Sequence, residues 1–230
     1  PDPPFFQNVP QVEVDAFIKP AKEVGGDFYD VFALNANQIC IAIGDVAGKG
    51  VPAALFMVRS LTVLRTEMFR SEDLLKTIHS INETLCCDNS TFMFVTLMIA
   101  VINTADGRLD YVNGGHNRPV FGNALNGFTF IDPPKGILLG INPKANYQLT
   151  SIQMKPGDMM IVYTDGITEA MNAVKDEFGE SRLLEKINTL NRLSVNGVMT
   201  EVLSAVSTFT AGEEQSDDLT LLALTYHGNS

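Results

Sequence analysis

The sequence predicts an α+β fold in which antiparallel sheets carry helices on their outer faces. Three observations lead there. Runs of β-branched and aromatic residues recur along the whole 230-residue chain. The helical stretches come in two adjacent pairs, not one after each strand as in a parallel sheet. Short turn signals such as Asn35-Ala36-Asn37 and Asp106-Gly107 separate several strand runs and suit antiparallel neighbours.

Each element can be justified in order. Residues 1–10 are Pro-rich and expected to be extended. Val12, Val14, Ala16 and Ile18 alternate with polar or differently facing residues, as in a half-buried strand. Phe28 to Leu34 and Ile39 to Ile43 predict two more strands. Pro52 suits the first turn of a helix reaching about Arg70. Ser71-Glu72-Asp73 then caps a second helix to about Leu85. The Met and Phe residues of Phe56 to Phe69 are expected to pack in the core or between helices.

Phe92 to Ile102 predicts a central strand, and Asp106-Gly107 turns it into Leu109 to Asn113. Short strands are expected at Pro119 to Gly122 and Gly127 to Ile131. Tyr147 to Met154 and Asp158 to Tyr163 are predicted to pair across Lys155-Pro156-Gly157. Helices follow over Ser181 to Leu190 and Val195 to Phe209, and Leu219 to Tyr226 closes the chain as a strand.

Composition narrows the function. Apolar residues make up 45% and charged residues 19%, enough to bury a sizeable core. No linker-like shift divides the chain, so one domain is expected. The net charge of −11 argues against nucleic acid or an anionic membrane surface as partner. Cys40, Cys86 and Cys87 form neither an even framework nor a C-x-x-C pair, so a reducing, cytoplasmic setting is expected. The longest apolar run, near Phe92 to Ile102, is too short to span a bilayer. No signal-peptide pattern is read at the start. Because the sequence opens on Pro1, a domain cut from a longer protein is expected.

Four aspartates carry the chemistry. Asp27 follows Gly25-Gly26, Asp45 follows Gly44 at the end of an apolar strand, Asp165 lies in Thr164-Asp165-Gly166, and Asp217 lies in Ser216-Asp217-Asp218. A lone Asp at a strand end is usually a turn or a cap. Four such sites together point instead to carboxylates converging on a hard divalent ion. No local chelating loop accounts for them, since an EF-hand needs its ligands within 12 residues. Gly44 to Gly50 is not a phosphate-binding P-loop either, because its glycine spacing is short and Gly50 follows Lys49. Oxygen-only ligands favour Mg²⁺ or Mn²⁺ over Zn²⁺. So many carboxylates exceed the one or two that a single Mg²⁺ needs, which favours two ions. Such a pair can hold a bridging hydroxide and stabilise displacement at phosphorus.

The runs around these residues carry a resemblance. They are Pro20-Ala21-Lys22-Glu23-Val24-Gly25-Gly26-Asp27-Phe28-Tyr29-Asp30, Gly44-Asp45-Val46-Ala47-Gly48-Lys49-Gly50, Asn113-Gly114-Gly115-His116-Asn117-Arg118-Pro119, Tyr163-Thr164-Asp165-Gly166-Ile167-Thr168-Glu169-Ala170, Phe178-Gly179-Glu180-Ser181-Arg182-Leu183 and Asp217-Asp218-Leu219-Thr220. In this order, over about residues 12–226, they resemble the metal-dependent Ser/Thr protein phosphatases of the PPM family, in the bacterial SpoIIE-like (RsbU-like) branch.

The resemblance implies a sandwich of two stacked antiparallel sheets flanked by helices, with a phosphatase domain over residues 12–228 and a linker segment over 1–11. It implies a phosphoprotein phosphatase using two Mn²⁺ or Mg²⁺ ions. Asp45 matches the bridging ligand and Val46 a backbone-carbonyl ligand. Asp165 and Asp217 match ligands of one ion, and Asp27 the acidic position serving the other. Asp218 ranks below Asp217. Asp45 and Asp165 would carry catalysis. The substrate implied is phospho-Ser or phospho-Thr on a small STAS-like, anti-anti-sigma-like regulatory protein in a partner-switching pathway. A homodimer is among the assemblies the resemblance allows, and the cytoplasmic domain of a larger sensor is the expected setting.

Two positions depart from the family pattern. Ala47 stands where eukaryotic relatives have a candidate general-acid His, which leaves the leaving-group proton to a water. Lys22 is the nearest replacement for a phosphate-holding Arg. His116 lies in a Gly-rich turn read as a structural loop, and residues 52–85 match a regulatory switch. A catalytically weak sensing or scaffolding module and a nucleotide phosphodiesterase are the competing readings. The four metal aspartates oppose the first. The lack of a basic groove or base-stacking aromatic cluster opposes the second.

Overall fold

A computed structural model describes residues 9–190 and 194–228. Most of the predicted extended segment, residues 1–8, lies outside them. The chain forms two compact units, each assembled from separated stretches of sequence. Each unit holds one five-stranded antiparallel sheet. The fold is therefore α+β with two antiparallel sheets, as the sequence predicts.

The first unit runs over residues 22–116 and 133–153. Its strands are β2 (Phe28–Asn35), β3 (Gln38–Val46), β4 (Val95–Asn103), β5 (Arg108–Gly114) and β8 (Leu149–Gln153), side by side in that order. β4 is thus central, as its unbroken apolar run requires. It begins at Val95 and not at Phe92. Asn89 holds the preceding residues in a turn, its Oδ1 accepting from Met93 N at 3.0 Å, with Phe92 at φ 52°.

Helices α1 (Val51–Arg70) and α2 (Leu74–Cys86) pack on this sheet. Ala53, Phe56, Ser60, Leu64 and Met68 recur at helical spacing and form the buried face of α1. Arg65 of α1 grips Asp30 of β2 with two charge-assisted hydrogen bonds, 2.6 and 2.7 Å long. The Asp73 side chain caps α2 by accepting from the Leu75 and Lys76 amides. The core of the unit is continuous from Phe28 and Val46 through Leu64 and Ile78 to Leu97, Val112 and Tyr147.

The second unit contains β1 (Val12–Lys19), β6 (Val120–Asn123), β7 (Gly127–Phe130), β9 (Met159–Tyr163) and β10 (Leu219–Tyr226). Their order is β1-β10-β9-β6-β7. α4 (Gly179–Thr189) and α5 (Val195–Thr210) belong to the same unit, α5 lying against β1 and β10. Leu183, Ile187, Val198 and Val202 join Ile161, Leu221 and Ala223 in a second core.

One predicted pairing is corrected. β8 and β9 do not form a hairpin across Lys155-Pro156-Gly157. β8 pairs with β5, and β9 with β10 and β6. The turn exists, with Asp158 N donating to Lys155 O at 2.9 Å, but Gly157 N donates to Tyr226 O and Tyr226 N to Asp158 O. The chain thus leaves one sheet for the other. The burial of the two strands agrees: β8 alternates half-buried and exposed residues as an edge, whereas every residue of β9 is buried. No helix among the described residues is long and apolar enough to cross a membrane.

Candidate functional site

In the first unit, Asp27 and Asp45 are brought together by strand register. Phe28 pairs with Gly44 in the β2–β3 ladder. Two steps further, Val46 N donates to Gly26 O at 3.3 Å. Between these two contacts the register sets Asp27 opposite Asp45. Directly opposed residues of an antiparallel pair share a face, with Cβ atoms about 4.5–5.5 Å apart, and like charges there repel. Asp27 is only 4% exposed, so water screens that repulsion poorly. An ion between them would remove it.

Gly26 is required by the same arrangement. A Cβ there would stand 2.7 Å from the Val46 carbonyl oxygen, the predicted backbone ligand. The loop Gly48-Lys49-Gly50 then leads directly from Asp45 and Val46 into α1. Lys22, the candidate phosphate anchor, is exposed in the segment before Asp27.

Register also reveals a partner that sequence reading did not find. Asp45 pairs with Thr96 of β4. The Thr96 Oγ1 lies 2.9 Å from His116 Nδ1. His116 is buried, and Asn113 clamps its main chain by accepting from His116 N at 2.8 Å and donating to His116 O at 3.1 Å. The loop reading of His116 thus acquires a physical content: it orients the residue beside Asp45. No local pattern around Thr96 signals this, because the link exists only through pairing of distant strands.

In the second unit, Asp165, Asp217 and Asp218 meet through β9 and β10. Leu221 pairs with Tyr163. The contact is extended by Thr164 N donating to Thr220 O and Thr220 N donating to Thr164 Oγ1, each at 3.1 Å. Asp165 opens a four-residue helix, α3 (Asp165–Thr168), just after β9. Gly166 sits back to back with the Asp218 carbonyl, so close that any side chain at 166 would overlap it. Asp217 accepts from the next amide at 2.9 Å. Asp218 is buried, and one of its oxygens accepts from Ala21 N at 2.8 Å.

The two remaining motifs meet in this unit. Arg118 donates to Glu180 in a bidentate pair, 3.1 Å at Nε, and stacks 4.4 Å from the centre of the Phe130 ring. Tyr163 OH donates to the same carboxylate at 3.3 Å. The Arg118 hydrogen bond holds the Glu180 carboxyl below its ordinary pKa, while burial pushes the Tyr163 phenol up. Asn117-Arg118-Pro119 and Phe178-Gly179-Glu180 therefore anchor the start of α4 next to the end of β9.

All these donors are oxygens, as hard divalent ions prefer. Among the described residues, no three His, Cys, Asp or Glu side chains form a ready cluster for an ion. The carboxylates are few and spaced apart. That suits an ion such as Mg²⁺, which keeps several waters and takes one or two carboxylates.

A family model described as Stage II sporulation protein E (SpoIIE) matches residues 35–227. The chain belongs to the SpoIIE family. It is 30% identical to Protein IcfG of Synechocystis sp. (strain ATCC 27184 / PCC 6803 / Kazusa), over 96% of this chain and 39% of that protein. It is 33% identical to Phosphoserine phosphatase RsbU of Bacillus subtilis (strain 168), over 70% of this chain and 49% of RsbU. The chain thus spans about half or less of the length of these curated relatives. In fold it matches the PP2C phosphatase domain of SpoIIE from Bacillus subtilis with a TM-score of 0.81 at 22% identity, covering 93% of this chain and 63% of that one. The RsbU and RsbW domains of Rv1364c from Mycobacterium tuberculosis match with a TM-score of 0.80 at 20% identity, covering 95% and 61%. The SpoIIE-like resemblance read from the motifs is borne out, and the α+β fold is that of PP2C phosphatase structures.

Proposed function

We propose that this SpoIIE-family domain is a metal-dependent protein phosphatase that hydrolyses phosphoserine or phosphothreonine on a small STAS-like regulatory protein. The observation that carries the reading is the Asp27–Asp45 pair, two like charges held face to face on an antiparallel ladder. Like charges opposed on a ladder repel, and a divalent ion held by their oxygens would relieve them. Support also comes from the family and from RsbU and RsbP, both named phosphoserine phosphatases. The naming of an RsbW domain beside an RsbU domain in one structural neighbour supports a partner-switching role.

In this reading, Asp27, Asp45 and the Val46 carbonyl of the first unit would hold Mn²⁺ or Mg²⁺, as would Asp165 and Asp217 of the second, with Asp218 a weaker candidate. When bound, the ions would supply an activated water and neutralise charge on the phosphoryl group. The residues of the chain do the rest. Thr96, opposite Asp45 on the ladder and tied to His116, is suited to position Asp45. Gly26 lets the Val46 carbonyl, and Gly166 the Asp218 carbonyl, come close to the backbone beside the carboxylates' elements. Lys22 is a flexible cation suited to a phosphate oxygen. Ala47 carries no proton, so the leaving serine or threonine oxygen takes its proton from solvent. Residues 12–228 act as one phosphatase domain, with the ordered function of a cytoplasmic signalling module.

The test is release of phosphate from p-nitrophenyl phosphate with Mn²⁺, Mg²⁺ or EDTA. Turnover that needs the metal and disappears in Asp45→Ala is expected. No metal-dependent turnover, or full activity in Asp45→Ala, would sink the reading and favour a scaffolding module. Hydrolysis of a phosphoserine peptide but not of a cyclic dinucleotide separates it from a phosphodiesterase. Capture of phosphorylated STAS proteins by Asp165→Asn tests the substrate class.

A further inference from the structure

The second unit contains a cavity of about 350 Å³ beside its carboxylates. Phe17 from β1, Leu203 and Val206 from α5, and Leu219 from β10 give it an apolar floor. Gly166 and Asp217 also line it. Of the charged side chains that line it, Glu213, Glu214 and Asp217 are acidic and Lys19 alone is basic. The acidic rim is held in place. Gln215 Nε2 donates to both Lys19 O and Asp217 O at 2.8 Å, tying the loop after α5 to the end of β1. The loop leaves α5 through Ala211 at φ 51° and Gly212 at φ 90°.

The phosphatase reading uses none of this apart from Asp217 and Gly166. A core has no need of an open apolar hollow, and apolar surface left to water costs free energy. We propose that this cavity is a specificity subsite of the phosphatase, a proposal that rests on the reading above. Its occupant is the segment of the phosphoprotein beside the phosphorylated residue. An apolar side chain of leucine size fills the hollow, and a neighbouring Lys or Arg faces Glu214, since Glu213 already meets Lys175 at 3.9 Å. Continuity chooses this occupant. Asp217 and Gly166 line the cavity, so whatever fills it lies a short chain length from a predicted metal ligand, and an extended chain advances about 3.3 Å per residue. Charge agrees, because an acidic rim favours a basic segment and repels an acidic one. A neutral apolar metabolite would use the floor and leave the rim unexplained.

The test uses phosphoserine peptides in which a Leu-Arg pair is moved roughly two to six residues to either side of the phosphoserine, a reach set by ~3.3 Å per residue. Ser-Ser at the same places is the control. At the best position, Leu-Arg should raise kcat/KM roughly tenfold over the control, the scale of one filled apolar pocket. Ser207→Trp places a large ring at the cavity from an exposed position of α5. It should bring the ratio to about one while p-nitrophenyl phosphate turnover and thermal stability stay unchanged. Glu214→Lys should shift the preference from Leu-Arg toward Leu-Glu, and this holds even if the tryptophan variant fails to fold. A domain that hydrolyses p-nitrophenyl phosphate but shows no Leu-Arg preference at any position overturns the subsite alone. So does an equal loss of peptide and small-substrate turnover in Ser207→Trp. A domain inactive on p-nitrophenyl phosphate overturns the phosphatase reading, and with it the subsite.

Discussion

The two carboxylate-bearing ends of the sheets solve the same problem differently. At the β2–β3 end, Asp27 and Asp45 lie within a ladder that continues on both sides of them, from Phe28–Gly44 to Gly26–Val46. At the β9–β10 end the ladder stops. Asp165 enters a helical turn, and Asp217 and Asp218 sit in the turn before β10. The first pair is fixed by regular pairing, which sets two like charges opposite each other. The second is fixed by hydrogen bonds outside the ladder, such as Ala21 N to Asp218, and by a tight backbone contact, Gly166 against the Asp218 carbonyl. Charge should therefore dominate the behaviour of the first region, and volume that of the second.

The largest effect expected is at Asp45. Asp45→Asn should lower metal-dependent turnover of p-nitrophenyl phosphate by roughly 10³-fold, the scale seen when a preorganised electrostatic group is lost. In EDTA the same variant should unfold at a slightly higher temperature, because the Asp27–Asp45 repulsion is gone, by about 0.2–1 kcal/mol. Turnover and metal-free stability thus move in opposite directions. A variant that loses both would show that Asp45 supports the fold, and would break the contrast between the two regions.

Gly166→Ala comes next. The added methyl meets a backbone carbonyl that cannot rotate away, so about 1–3 kcal/mol of stability should be lost. Gly26→Ala meets the Val46 oxygen at 2.7 Å, a looser contact, and should cost less. Chemical denaturation of both variants orders them. If Gly26→Ala proves the more damaging, the ladder end is the less tolerant of volume and the comparison reverses.

Much of this was legible in the sequence because local chemistry decides it. Asp73 announces α2 by capping, Pro52 announces α1, and Asn35-Ala36-Asn37 joins β2 to β3. Sheet membership was not legible. Lys155-Pro156-Gly157 has the chemistry of a hairpin turn, yet the strands around it join different sheets, since pairing is decided by β5 and β10 far away in sequence. The same limit governs the site. The aspartates could be picked out by their glycine and strand-end settings, but Thr96 could not. Its place beside Asp45 follows from the β3–β4 register alone.

Thr96→Val tests that register-borne role at a smaller scale. The valine keeps the shape and removes the hydroxyl that meets His116 Nδ1, at a stability cost of about 1 kcal/mol. If Thr96 and His116 orient Asp45, turnover should fall several-fold and the Mn²⁺ concentration giving half-maximal activity should rise. Thr96→Ser, which restores the hydroxyl, should recover both. A loss of stability with unchanged metal response would confine Thr96 to packing.

The smallest effect concerns Glu180, at some remove from either pair. The hydrogen bond from Arg118 depresses its carboxyl pKa in the folded state. A depressed carboxyl contributes stability that is present above its ordinary, unfolded value and is lost as pH falls through that value toward the folded one. The wild-type domain should therefore lose this contribution on acidification, and Glu180→Gln should show a shallower decline over the same acid range. Both side chains of the pair are 41% exposed, so solvent screening limits the difference to less than ~1 kcal/mol near neutral pH. Thermal unfolding of the two proteins between weakly acidic and neutral pH measures it. Parallel curves would mean that Arg118 gains nothing from the carboxylate charge, and that its stacking on Phe130 is what holds the start of α4 to β9.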